Sequence, residues 1–219
     1  MTETRRMNRR HVFKIAAGAA LGGALACGGA GVIVSRRPAI EMPTASHPGD
    51  GKRILIAYAS ATGTTAEAAV DMGLALAEMG FAVDVRPAAA VDPADVPTYD
   101  GTIVGSAIRM GQPMREAMRL FASPTHRLRE HLTACFILCM VVTGNTVEAL
   151  QEARGYASPL ADTVGAQHVG VFPGALLRER LSPLEGVMTN MMGATFGDHR
   201  DWDAMRAWAR EFGAAVRDS

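Results

Sequence analysis

The chain has 219 residues, enough for one sizeable domain and an appendage, with 22 Lys and Arg against 22 Asp and Glu. The charge is uneven: seven basic residues and one acidic residue fall in the first 37 positions, so 15 basic against 21 acidic residues leave the body at −6. A body that acidic lacks the footprint of a nucleic-acid binder. The three cysteines and six histidines show no spacing that suggests a structural zinc site.

Residues 1–37 read as an export or anchor segment. A basic start (Arg5, Arg6, Arg9, Arg10, His11, Lys14) precedes Ile15 to Val34, twenty residues without a charge and dominated by alanine and glycine. Arg9-Arg10-His11-Val12-Phe13-Lys14 resembles the twin-arginine export motif, whose signals carry folded, cofactor-loaded proteins. Three fates stay open. Ala24-Leu25-Ala26 offers a small-x-small cleavage site, Cys27 offers a lipidation site, and the uncharged run is just long enough to span a bilayer. The excess of positive charge before the run predicts a body outside the cytoplasmic membrane. Residues 38–51, with three prolines and two glycines, read as a linker.

The domain begins near residue 52. Arg53 to Ala59 is apolar on both faces and reads as a buried strand; Ser60-Ala61-Thr62-Gly63-Thr64-Thr65 is a tight loop, and Ala66 to Met79 has helical spacing. Four hydroxyls (Ser60, Thr62, Thr64, Thr65) therefore sit where a helix presents its unpaired N–H groups, a cradle for an anion. The loop has no lysine or arginine and lacks the Gly-Lys-Ser/Thr of a triphosphate loop, so it suits a monophosphate.

Phe81 to Arg86 predicts a second strand after the helix stop at Gly80. Gly101 to Ser106 predicts a short third strand that empties into a loop, Ala107-Ile108-Arg109-Met110-Gly111, before a helix through Met114, Ala117, Met118 and Phe121. Residues 124–132 form a further polar or helical segment. Thr133 to Val142 is the longest apolar run of the body and reads as the central strand, ending at Thr143-Gly144-Asn145. Cys135 and Cys139 lie on one side of that strand, about 13 Å apart at strand rise, too far for a disulfide. A helix runs from Thr146 to about Val164, with Gly155 and Pro159 as weak points, then a fifth strand from Ala166 to Phe172. Leu184, Val187, Met188, Met191 and Met192 make an apolar helical stripe, expected to pack against the sheet edge. The last helix spans Trp202 to Val216.

Strand and helix alternate five times, which predicts an α/β doubly wound parallel sheet with helices on both faces. Ligands in that architecture bind beyond the carboxyl ends of the strands, where the loops 60–65, 106–111 and 143–146 emerge. His126, His131, His168 and His199 pair with no nucleophile, and Ser158 and Ser182 lack a nucleophile elbow, so hydrolase chemistry is unsupported.

The loop Ser60-x-Thr62-Gly63-x-Thr65 resembles the phosphate loop of flavodoxins, and the resemblance extends over residues 52–217. It implies a five-stranded sheet in the order 2-1-3-4-5 and FMN as cofactor. In that family Ser60, Ala61, Thr62, Gly63, Thr64 and Thr65 would hold the phosphate. Ser106, Ala107, Ile108, Arg109, Met110 and Gly111 with Thr143, Gly144 and Asn145 would bracket the flavin ring. A finer resemblance is to the menaquinone-linked, oxygen-independent protoporphyrinogen oxidases: Gly105 to Gly111 is similar to their Gly-x-x-Ile-Arg-x-Gly loop, Gly197 to Asp203 to their approach to the last helix, and 174–201 to their insertion. The resemblance implies an FMN-binding oxidoreductase or electron-transfer protein with quinone as a possible acceptor, and Arg109 as a residue that tunes the flavin. Two alternatives stand beside it: a flavodoxin-fold binding module that has lost flavin, and an NAD(P)H–quinone reductase, for which no separate Gly-x-Gly-x-x-Gly fingerprint is present.

Overall fold

A computed structural model describes residues 36–120, 132–144, 146–191 and 193–219. The export or anchor segment up to residue 35, the polar segment 124–131 and Asn145 lie outside the described residues.

Five parallel strands form the centre: β2 (Arg53–Ala59), β3 (Ala82–Pro87), β4 (Gly101–Arg109), β6 (Leu132–Cys139) and β7 (His168–Pro173). Their spatial order is β3-β2-β4-β6-β7, which is 2-1-3-4-5 among the parallel strands, as expected. Alternation of side chains explains why these strands read as apolar on both faces. Ile54, Ile56 and Tyr58 of β2 and Ala134, Phe136 and Leu138 of β6 enter one core. Leu55, Ala57, Ala59, Cys135, Ile137 and Cys139 enter the other. The first core is closed by α1 (Thr64–Ala77) and α5 (Trp202–Asp218), the second by α2 (Arg115–Leu120) and α3 (Val147–Val164). Cys135 and Cys139 are free and buried, and burial pushes the Cys135 thiol up to about 12.

The helix ends follow their sequences. Thr146 caps α3 by accepting from Ala149 N at 3.1 Å, and Asp201 caps α5 by accepting from Ala204 N at 2.9 Å. Gly165, at φ 65°, ends α3 in the left-handed conformation. Pro159 lies inside α3, which nonetheless runs unbroken to Val164.

Four expectations are corrected. The stretch 38–51 is not merely a linker: Ala45–His47 forms β1, an antiparallel edge strand on β3, and Tyr58 Oη donates to the Pro43 carbonyl at 2.6 Å. The third strand does not stop at Ser106. It continues to Arg109 and returns as β5 (Gln112–Pro113), with Arg109 paired to Gln112 across a two-residue turn. Both turn residues, Met110 and Gly111, have positive φ (50° and 75°), the geometry of a type I′ hairpin. The central strand ends at Cys139, and Met140–Gly144 wind into a 3₁₀ turn.

The fourth correction concerns α4 (Pro183–Met191). Residues 181–193 fall in a compact unit separate from the sheet domain, which comprises 39–180 and 194–219. The stripe on α4 is open rather than buried: Leu184, Val187, Met188 and Met191 are 46%, 58%, 40% and 80% exposed. The helix is held by a reciprocal capping box, in which Glu185 N donates to Ser182 Oγ and Ser182 N donates to Glu185 Oε2. Arg37 Nε adds bonds of 3.0 and 2.8 Å to the two Glu185 carboxylate oxygens. Among the described residues, no helix is long and apolar enough to cross a membrane.

Candidate functional site

The sheet sets the site by bringing the carboxyl ends of β2, β4 and β6 side by side. Ala59 pairs with Ser106, and Ser106 in turn pairs with Ile137. The segments that follow these strands therefore leave the sheet from neighbouring positions.

The first segment turns directly into α1. Helix α1 starts at Thr64, two residues earlier than its apolar spacing suggests, so Thr64 and Thr65 belong to its first turn. Gly63 occupies the cap position at φ 80°, which favours glycine, and no side chain caps the helix. The first N–H groups of a helix have no intrahelical acceptor, so α1 presents free donors and the positive end of its dipole. Ser60 Oγ and Thr65 Oγ1 are buried and make no hydrogen bond. A buried hydroxyl without a partner costs roughly 1–3 kcal/mol, so two of them beside an uncapped helix start fit an absent acceptor such as a phosphate. Thr62 Oγ1 lies 3.5 Å from Thr64 Oγ1, and Thr64 is itself buried.

The second segment is the β4–β5 hairpin. Ser106 is fully buried and its hydroxyl serves the hairpin, accepting from Met114 N at 2.8 Å and donating to the Ala107 carbonyl at 2.9 Å. Ala107 and Ile108 are half-buried, whereas Arg109 and Met110 are exposed. The ring of Tyr156, from α3, lies 3.2 Å from where a Cβ on Gly111 would stand. In the third segment Thr143 is exposed and its hydroxyl donates to the Met140 carbonyl at 2.8 Å; Gly144 ends the 3₁₀ turn.

Two arginines at this site are not apparent from the loop's own sequence. Arg180, in the 3₁₀ turn Arg178–Arg180, donates to the Thr62 carbonyl at 3.1 Å and pairs with Glu67 at 2.6 Å. Arg200 Nη1 donates to the Thr64 carbonyl at 2.9 Å and to Glu67 Oε2 at 2.8 Å. Its guanidinium also bonds Asp198, lies 4.3 Å over the Trp202 ring, and has a side chain only 4% exposed. Burial works against the charge on Glu67, but hydrogen bonds from Arg180 and Arg200 outweigh it and hold the carboxyl below its usual range. Arg200 lies in the 197–203 stretch already singled out by resemblance; Arg180 carries no local signal. Both flank the short ribbon of β8 (Ala175–Leu176) and β9 (Gly197–Asp198).

The fold and loop thus define a class: a doubly wound α/β domain with a neutral, hydroxyl-rich loop and an uncapped helix start at the end of its first parallel strand. The sequence matches the family model described as "Flavodoxin domain" over residues 55–203, and the chain belongs to that family. FMN is the cofactor of flavodoxin domains, and the open helix start and unpartnered hydroxyls fit its phosphate.

Solved structures similar to the chain include oxidised flavodoxin 2 from Bacillus cereus, at 20% identity, 76% of this chain, 98% of that chain and TM-score 0.48. The Streptococcus pneumoniae TIGR4 flavodoxin matches at 17% identity over 74% of this chain and 99% of its own, with TM-score 0.47. Two-electron-reduced Megasphaera elsdenii flavodoxin matches at 16% identity, 76% and 99% coverage and TM-score 0.46. Among curated proteins, none matches the sequence.

Proposed function

We propose that this chain is an FMN-dependent oxidoreductase that passes electrons from a donor to a quinone, in the manner of the protoporphyrinogen oxidases its hairpin motif resembles. The observation that carries the flavin reading is the pair of unpartnered buried hydroxyls, Ser60 and Thr65, beside the uncapped start of α1. When bound, FMN supplies the redox chemistry itself, so the protein has to hold and tune it. Residues 60–65 would receive the phosphate, and the segments 106–111 and 143–145 would flank the ring. Arg109, at the end of β4, would bring positive charge that favours the reduced, anionic flavin and raises its potential.

The reading includes a location outside the cytoplasmic membrane, reached through the twin-arginine-like motif, with the run 15–34 cleaved, lipidated at Cys27 or kept as an anchor. Support for a membrane-facing role comes from α4, whose open apolar face is tied through Glu185 to Arg37, three residues after the uncharged run ends. Replacing Arg9-Arg10 with a lysine pair would block export; normal delivery of that variant would remove the twin-arginine reading.

The test of the redox function is anaerobic. The FMN-loaded protein is reduced with dithionite and mixed with a menaquinone analogue, and separately the oxidised protein is mixed with protoporphyrinogen. Reoxidation by the quinone supports the acceptor, and bleaching by protoporphyrinogen supports the donor. Failure of both would leave an FMN-binding carrier of other partners.

A flavin-free binding module is the second reading. It is favoured by one observation: segments 106–111 and 143–147 contain no aromatic residue to stack on a flavin ring. A colourless protein indifferent to added FMN would establish it.

A further inference from the structure

We infer that Arg180 and Arg200 are positioning residues for the flavin phosphate, acting through the backbone of the loop from its outer side. The inference rests on the FMN reading above.

All described peptide bonds are trans, so the carbonyl of one residue and the N–H of the next point to opposite sides. Arg180 holds the carbonyl of Thr62 and thereby aims the N–H of Gly63 away from itself; Arg200 holds the carbonyl of Thr64 and aims the N–H of Thr65 likewise. Those two N–H groups belong to the open start of α1, the same end that carries the unpartnered Thr65 hydroxyl. A charged donor on a carbonyl also polarises that peptide, which strengthens the N–H on the far side.

Net charge does not explain the pair. Arg180 shares Glu67 with Arg200, and Arg200 also bonds Asp198, so two cations face two carboxylates. The group is locally neutral, and what it supplies is orientation. Arg180 divides its fork, Nη1 to the Thr62 carbonyl and Nη2 to Glu67, whereas Arg200 places Nη1 on both the Thr64 carbonyl and Glu67 and keeps Nε and Nη2 on Asp198; a lysine ammonium does not reproduce either planar hold. The ribbon β8–β9 is thereby made part of the phosphate site. It fixes a loop that has no cation of its own.

The experiment compares FMN with riboflavin, which lacks the phosphate, on the full chain with Arg180→Ala, Arg180→Lys and Arg200→Lys. Arg180 is about a quarter exposed, so its replacement spares the core, and riboflavin affinity reports folding of the ring site. The expected result is a fall in FMN affinity of about tenfold or more in each variant, the scale of one charged hydrogen bond, with riboflavin affinity unchanged. An FMN-to-riboflavin ratio equal to wild type in Arg180→Ala, or full recovery by Arg180→Lys, would overturn the inference. A wild-type protein that binds neither flavin would instead remove the FMN reading on which it rests.

Discussion

Arg180 and Thr62 are 118 positions apart in the chain, yet the guanidinium of one donates to the carbonyl of the other at 3.1 Å. The contact pins the loop beside Gly63, whose φ of 80° leaves no room for error: a Cβ there would stand 3.0 Å from Ile40 Cγ2 and 3.2 Å from Arg180 Nη1. Gly63→Val should therefore cost about 1–3 kcal/mol in backbone strain alone and abolish FMN retention, a stronger effect than Thr62→Ala. Thermal melting and quenching of FMN fluorescence read the two losses; a variant that keeps both would contradict the loop's assignment.

Thr65 allows a sharper test, because its hydroxyl is buried and makes no bond within the protein. Thr65→Val removes that hydroxyl at constant shape. Without flavin the variant should be more stable than wild type by about 1–3 kcal/mol, since an unsatisfied group has been removed. With FMN it should be the less stable of the two. Melting curves with and without FMN check the reversal, and a loss of stability in both states would show that the hydroxyl serves the fold.

Gly105 begins the hairpin motif that resembles the oxidase group, and the structure gives this glycine a packing reason. A Cβ there would come within 2.3 Å of the Phe136 ring, which lies across the adjacent strand in the first core. Gly105→Ala should destabilise the domain by about 1–3 kcal/mol through overpacking. A denaturant titration measures it, and Gly105→Ala at wild-type stability would mean the ring moves aside freely.

Acid should release α4. Hydrogen bonds from Arg37, with further bonds from Ser182, outweigh burial and hold the Glu185 carboxyl at about 2, below its ordinary 4.5. A carboxyl depressed in the folded state stabilises fully above its unfolded value, and that contribution is lost as pH falls through the folded one. Limited proteolysis within 181–193 should therefore accelerate between about pH 4.5 and pH 2. In Glu185→Gln it should already be fast at neutral pH and change little over that window; equal rates for the two proteins would remove the capping role.

Much of the fold is readable because β2 and β6 are apolar on both faces, a pattern that only a strand covered on both sides requires. The hydroxyl-rich loop proposed to hold the phosphate is equally local: hydroxyls, one left-handed glycine and a helix start fall within six residues. What is not legible is set by distance or by weak local chemistry. Ala45–His47 has three residues and no apolar period, and its place in the sheet follows from pairing with Val83–Val85. The turn Met110–Gly111 lacks the Asn-Gly or Asp-Gly signal of a type I′ hairpin, so the strand pattern of β4 ends early in the sequence. Arg180 gives no local sign of its bond to Thr62. The α4 stripe has the right helical period, but periodicity alone does not say whether a stripe is covered.

The measurement that bears most directly on the account is the visible absorption spectrum of the purified protein during titration with FMN. Saturation at one FMN per chain, with a shifted flavin band that bleaches on dithionite, is the predicted result. A spectrum that remains the simple sum of protein and free FMN at every addition would contradict it.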